Sequence, residues 1–321
     1  MTYARPEVSI VIPVYRSEAI LPQLVAQVGE AMRAAGTRFE LILVNDASPD
    51  GSWPVIRALA AQHAFVRGVC LSRNFGQHNA TMAGLNQADG DIVVIMDDDL
   101  QHPPQAIMTL VEAIRGGHDV CYTTYLDRQH SVWKKLGSWF NDRVAGLLLA
   151  KPRGLYLSSF KALHRRVVRE VIRYDGPYAY LDGLILDLTR HITSVPIQHQ
   201  KRLQGEGNYN LRRSISLWLK MATSFSIIPL RLASWSGMLL SALSLVGMIV
   251  VVVTKLLHPE TPAGWASLLV AVLFMGGLQL LFLGVIGEYL GRGYLKLNRK
   301  PQFAVRERVG GADARESADV E

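Results

Sequence analysis

Three consecutive carboxylates, Asp97-Asp98-Asp99, followed by Leu100-Gln101, stand directly after the apolar run Asp91–Met96. If that run is a strand continuing into the acids, residues i and i+2 point to one side. Asp97 and Asp99 then address one divalent cation, with the Gln101 amide as a further oxygen. Hard oxygen donors of this kind select Mg²⁺ or Mn²⁺. A bare acidic triplet is more often a solvated turn or a helix cap, so its meaning depends on what surrounds it.

Other polar groups recur where apolar runs end. Asn45-Asp46-Ala47-Ser48-Pro49-Asp50-Gly51 follows one run and offers Asp46 to a base or ribose. Ser72-Arg73-Asn74-Phe75-Gly76 follows another, ahead of a helical stretch whose N-terminus can face an anion, with Arg73 adding fixed charge. Lys201–Tyr209 is a Gly-rich polar loop carrying Arg202, read by itself as a linker or a lid. Asp182 is a further carboxylate whose plain reading is a helix N-cap. His78 and His102 flank the acidic run but lack a zinc-like ligand set, and Cys70 and Cys121 read as buried thiols without a Cys-x-x-Cys pair.

The elements that must position these groups alternate between strand and helix. Val8–Val14, Phe39–Val44 and Val66–Leu71 are β-branched, apolar runs. Between the first two, Leu21, Leu24, Val25, Val28 and Met32 lie on one helical face, with Pro22 near its start. After the third, Gln77–Gln87 reads as a helix. This is a Rossmann-like α/β pattern with the polar groups at the carboxyl ends of the strands. Neither a phosphate-loop signature nor Gly-x-Gly-x-x-Gly after the first strand is found, which argues against ATPase and dinucleotide chemistry.

Four blocks together resemble the inverting glycosyltransferases of family two, with the GT-A fold, and among them the polyprenyl-phosphate glycosyltransferases. They are Val11-Ile12-Pro13-Val14-Tyr15, Val44 to Asp50, Arg73-Asn74-Phe75-Gly76-Gln77-His78 and Met96 to Pro104. The resemblance covers nearly the whole chain. It implies that Pro13, Tyr15 and Asp46 line the nucleoside pocket and that Asp97, Asp99 and Gln101 surround metal and diphosphate. It further implies a nucleotide-sugar donor, tilted to uridine diphosphate, a polyprenyl phosphate acceptor such as undecaprenyl phosphate, and a homotetramer. Asp99 and Asp182 are the candidate catalytic residues, while Asp97, Arg73 and Arg202 meet the phosphates.

Three positions depart from the pattern. Arg16-Ser17-Glu18 stands where many relatives carry Asn-Glu, Gly207 replaces a Ser of the lid loop, and Leu155 stands where relatives often place an acceptor-side Asp. A phosphate acceptor, with a second pKa of about 6, is largely ionised at neutral pH and needs positioning more than a strong base.

Composition changes near residue 230. Leu232–Thr254 and Trp265–Ile286 are each long and apolar enough to span a bilayer. Arg212, Arg213, Lys220 and Arg231 precede them and Arg292, Lys296, Arg299 and Lys300 follow, which predicts cytosolic flanks in a plasma (inner) membrane. Leu211–Ile228 reads as an amphipathic helix suited to the bilayer surface, and His130–Leu149 is a second candidate that could equally pack on the catalytic domain. The net charge of +7 and pI near 9.5 therefore point to anionic lipid rather than nucleic acid.

The expected organisation is a GT-A catalytic domain over 1–210, a juxtamembrane helix over 211–231, a two-helix transmembrane hairpin over 232–290, and a cytosolic basic segment with a disordered tail over 291–321. The first residues do not read as a cleavable signal peptide. Two rival readings remain: a processive polysaccharide synthase, for which the Gln-x-x-Arg-Trp element is missing, and a non-catalytic membrane scaffold, for which the acidic triplet has no use.

Overall fold

A computed structural model describes residues 5–125, 152, 155–176, 179–197, 228–257, 264–298 and 301–311. The chain divides into two units, one of residues 1–208 with 299–321 and one of residues 209–298.

The first unit is built on a mixed sheet of eight strands in the order β7-β5-β6-β4-β1-β2-β3-β8. Strands β1 (Val8–Val14), β2 (Phe39–Asn45), β3 (Val66–Leu71) and β4 (Ile92–Ile95) are mutually parallel in the order 4-1-2-3. All of β1 and nearly all of β2 are buried, as expected for parallel strands covered on both faces. Helices α1 (Leu21–Ala34), α2 (Ser52–Gln62), α3 (Gln77–Gln87) and α4 (Ala106–Arg115) connect or follow these strands. The face of α1 predicted from its spacing is the buried one, and Pro22 lies in its first turn, where its missing N–H costs no hydrogen bond. Helix α3 lies so close to the sheet that a Cβ on Gly84 would collide with Val11 Cγ1.

On the other flank, β5 (Val120–Tyr125) and β6 (Lys161–His164) pair antiparallel, β6 also pairs antiparallel with β4, and β7 (Ile192–Ile197) runs parallel to β5. Two short helices, α5 (Arg165–Val171) and α6 (Leu181–Leu188), join β6 to β7.

The far edge holds a strand that the sequence reading did not contain. β8 (Val305–Val309) pairs antiparallel with β3, from Gly68 opposite Val309 to Leu71 opposite Val305. Trp53 Nε1 donates to Glu307 Oε2 at 2.9 Å, Gln302 Nε2 to the Tyr174 carbonyl at 2.8 Å, and the Ser72 N–H to the Ala304 carbonyl at 2.9 Å. Arg306, Glu307 and Arg308 disguise the strand, because an edge needs only one covered side and tolerates charge on the other.

In the second unit, α7 (Ile228–Leu257) and α8 (Trp265–Leu297) extend beyond the two predicted apolar spans. Large apolar side chains stand exposed along both, among them Leu239 and Val250 on α7 and Leu280 and Leu290 on α8. By length and composition, Phe274–Gly291 can cross a membrane.

Candidate active site

Parallel strands that fan out from a common level open a crevice at their carboxyl ends where the strand order reverses, here between β1 and β4. A cleft of about 310 Å³ occupies this place. Its walls come from Pro13, Val14 and Tyr15 after β1, Asp46 after β2, Asn74, Gly76 and Gln77 ahead of α3, and Asp97, Asp98 and Asp99 after β4.

The non-glycine residues with positive φ among the described residues, Arg16 (59°), Ala47 (48°) and Leu100 (57°), follow the ends of β1, β2 and β4. Left-handed backbone at a side-chain-bearing residue persists only where its surroundings hold it, and around Arg16 and Ala47 side-chain bonds do so. Arg16 N–H donates to Ser48 Oγ at 2.7 Å, Ser17 N–H to Ser52 Oγ at 3.2 Å and Ser48 Oγ to Asp50 Oδ1 at 2.6 Å.

Asp46 is buried, and both of its oxygens are engaged. Oδ1 accepts the Phe75 N–H at 2.7 Å and Oδ2 the Gly76 N–H at 2.8 Å. Burial raises its pKa above the ordinary 3.8, and those two N–H groups pull it back in part. Its established task in the fold is thus to hold the loop after β3, in which Gly76 has φ 87°. Arg73 does not line the cleft; its guanidinium lies 4.6 Å over the Phe75 ring and is exposed.

The acidic run corrects the geometry read from the sequence. β4 ends at Ile95, and Asp97–Asp99 lie in a turn rather than on an extended strand, so the i, i+2 alternation does not apply. All three carboxylates line the cleft nonetheless. Asp97 Oδ1 accepts Gln77 Nε2 at 2.7 Å, and its Oδ2 accepts Ser159 Oγ at 2.5 Å. Gln101 is not in the lining; its backbone N–H donates to Asp99 Oδ1 at 3.1 Å.

Asp98, passed over by the alternation argument, turns to β1. Its Oδ2 accepts the Tyr15 N–H at 3.1 Å and the Ser17 hydroxyl. Burial raises its pKa, while the Ser17 and Tyr15 donors oppose the rise.

These groups suit a divalent cation. Mg²⁺ and Mn²⁺ sites that serve phosphates use one or two carboxylates and take the remaining oxygens from substrate and water. Among the described residues no group of three or more His, Cys, Asp or Glu side chains is placed to hold a metal ion by itself. Asp97, oriented from both sides by Gln77 and Ser159, and Asp99 are the residues of this cleft that fit the role.

Asp182 is neither in the cleft lining nor an N-cap. It is the second residue of α6, Tyr180 being the cap, and is buried. Its Oδ1 accepts the Tyr122 hydroxyl at 2.9 Å and is ion-paired with the buried Lys161. Burial drives the Tyr122 hydroxyl well above its usual pKa, and the neighbouring Asp182 adds to the rise. His78 meets Tyr180 edge-on at 5.3 Å, and His102 is buried and stacked on Phe160 at 4.9 Å. Leu155, where an acid was expected from the resemblance, is buried. Arg202, the loop Lys201–Tyr209 and the candidate helix His130–Leu149 lie outside the described residues, as does nearly all of Leu211–Ile228.

Sequence reasoning missed Gln77, Ser159, Lys161, Tyr122 and Asp98. Gln77 was detectable as the first residue of a helix aimed at the acids. Lys161 and Tyr122 reach Asp182 only through the pairing of β5 with β6, which no local pattern announces.

The glycosyl transferase family 2 model matches residues 9–172. The undecaprenyl-phosphate 4-deoxy-4-formamido-L-arabinose transferase of Yersinia pestis (strain Pestoides F) is 33% identical over 318 residues, covering 98% of this chain and 97% of its own. The enzyme of the same name from Yersinia pseudotuberculosis serotype O:3 (strain YPIII) gives the same figures. Among solved structures, glucosyl-3-phosphoglycerate synthase from Mycobacterium tuberculosis, in complex with Mn²⁺, UDP-glucose and phosphoglyceric acid, is 19% identical over 68% of this chain and 80% of that one, with a TM-score of 0.49. With a mixed sheet, a carboxylate-lined cleft at its strand switch point, a family model that covers residues 9–172 and relatives that match it almost end to end, this chain belongs to glycosyl transferase family 2 and is a glycosyltransferase.

Proposed function

We propose that the enzyme transfers one sugar from a nucleoside diphosphate sugar, of which uridine diphosphate is the favoured carrier, to a polyprenyl phosphate, with inversion at the anomeric carbon. The observation that carries this reading is the near full-length match to transferases named for undecaprenyl phosphate, which extends through the apolar helices as well as the sheet. The lipid phosphate oxygen attacks the anomeric carbon, and the bond from that carbon to the diphosphate oxygen breaks, its electron pair leaving with the diphosphate. Inversion follows from a single displacement.

Pro13 and Tyr15 wall the nucleoside, and Asp46 holds the loop that faces its phosphates. Asp97 and Asp99 would hold Mg²⁺ or Mn²⁺, which when bound supplies positive charge to the departing diphosphate. Gln101 supports Asp99 through its backbone. Arg73 and Arg202 are proposed to meet the phosphates once the donor is bound. Asp182, already taken up by Lys161 and Tyr122, shapes the acceptor side and is not the group that takes a proton; a phosphate acceptor has little need of one.

Membrane attachment is proposed on a parity argument. Residues 301–311 fold into the unit that holds residues 5–197, so the chain between them crosses any bilayer an even number of times. If α8 spans, α7 spans too, and both flanks lie with the catalytic unit in the cytosol, as their Lys and Arg content supports. A nucleotide-sugar donor, a lipid acceptor and an anionic bilayer are then the partners, and a homotetramer is carried forward from the resemblance alone.

The test incubates detergent-purified protein with undecaprenyl phosphate, Mn²⁺ or Mg²⁺ and a panel of nucleotide sugars, and weighs the lipid product. One added sugar supports the reading. Several sugars on one lipid favour a polymerase, and no product with any donor from folded protein overturns it.

A further inference from the structure

We propose that Asp98 is a positioning residue, a latch that joins the loop after β1 to the acidic turn after β4 and thereby sets Tyr15 in the cleft wall. This rests on the reading of the cleft as a nucleoside diphosphate site, and adds what keeps that site in shape.

The latch is visible in the bonds. One oxygen of Asp98 receives the Tyr15 N–H and the Ser17 hydroxyl, groups more than eighty positions away in sequence, so it bridges two strands' ends rather than closing a local turn. Arg16, between its two partners, has φ 59°. A kinked segment of this kind relaxes unless it is held on both sides. On the β2 side Ser48 and Ser52 hold it, through the Arg16 and Ser17 N–H groups. On the β4 side the hold is Asp98.

Tyr15, 44% exposed, has its backbone fixed by this bond, while its ring lies 5.5 Å beneath the Arg16 guanidinium. The latch therefore links the group that walls the nucleoside to the turn that carries Asp97 and Asp99. Donor affinity should depend on it more than the rate of the chemical step.

Both partners of Asp98 are donors, so the work needs an acceptor oxygen and not a charge. An amide oxygen can replace it, whereas a cation ligand or a charged phosphate partner cannot be replaced in that way. Asp98→Asn and Asp98→Ala separate the two roles, and Ser17→Ala removes one of the two bonds from the other end.

The experiment measures uridine diphosphate binding by calorimetry in the presence of Mn²⁺, together with KM and kcat for the donor, on full-length protein whose melting curve is recorded. Asp98→Ala should weaken binding about ten-fold or more, Asp98→Asn should recover it to within about three-fold of wild type, and Ser17→Ala should cost about three-fold. The losses should fall on KM, with Mn²⁺ affinity kept in Asp98→Asn. If Asp98→Asn is as weak as Asp98→Ala and has lost Mn²⁺, the residue is a ligand and the latch is wrong. If Asp98→Ala does not fold, Asp98→Asn and Ser17→Ala still decide. A folded wild type that binds no uridine diphosphate overturns the donor reading itself, which is a different outcome from a defective Asp98→Asn.

Discussion

Lys161 on β6 and Asp182 on α6 form an ion pair inside the protein, Lys161 only 3% exposed and Asp182 7%. A buried pair adds little over a well-packed apolar pair, but removing one partner strands the other charge.

Lys161→Met should therefore destabilise the catalytic unit by about 3–5 kcal/mol, measured as a fall in the denaturant midpoint. Adding Asp182→Leu should restore most of that loss. A Lys161→Met protein as stable as wild type would mean the pair is already open to water.

Asp182→Asn strands the Lys161 charge and lowers stability, but in the folded enzyme it keeps an oxygen for Tyr122 and leaves the acceptor phosphate to set its own ionisation. Turnover should fall modestly, with the acidic limb of the pH profile still near the phosphate's second pKa of about 6. Loss of that limb would make Asp182 the acceptor base after all.

The nucleotide loop depends on Asp46 and Gly76. A Cβ on Gly76 meets nothing within 4 Å, so Gly76→Ala tests backbone strain alone at φ 87°. Asp46→Ala instead removes both acceptors of the Phe75 and Gly76 N–H groups. Each variant should weaken uridine diphosphate binding by about ten-fold or more while remaining folded, as calorimetry and a melting curve would report.

Asp99→Asn should lower turnover on the order of a hundred-fold or more, and chelation of divalent ions should abolish it in wild type. Ser159→Ala, which frees one side of the Asp97 carboxylate, should raise the Mn²⁺ concentration needed for half-maximal activity by about ten-fold. Turnover that persists through chelation would remove the cation from the scheme.

Acid should loosen the loop after β2 before the sheet melts. Burial pushes Asp50 up, but the Ser48 and Ser52 side chains and the Glu18 and Ser52 N–H groups together outweigh it and bring the carboxyl down to about 2. A folded value below the unfolded 3.8 gives stability that is complete above about pH 4 and drains away as pH falls toward 2. Asp50→Asn should flatten the pH dependence of the midpoint in that window and leave it unaltered at pH 7 and above apart from a constant offset.

Much of this architecture was readable in residue order because its signals are local. β1 and β3 have the predicted bounds, and so does α3; β1 is a short apolar block, β3 one that Ser72 follows, and α3 a block that Gly76 precedes. What escaped depends on long-range pairing. The acidic run was correctly put at a strand end, yet β4 stops at Ile95, before the acids, which defeated the alternation argument and hid the separate task of Asp98. Asp182 drew notice as a carboxylate, but nothing beside it in sequence reveals that a lysine one strand away has already claimed it. β8 was concealed by its charges.

That last strand sets a timetable for synthesis. Leu71 of β3 leaves the ribosome long before its partner Val305, and at roughly 5–20 residues per second the wait is on the order of 10–50 s. During this time both apolar helices emerge, while β3 presents an open flank to any passing strand. Completion of the sheet thus waits until both helices have been made. A ribosome stalled in the second helix holds a catalytic unit that still lacks its edge.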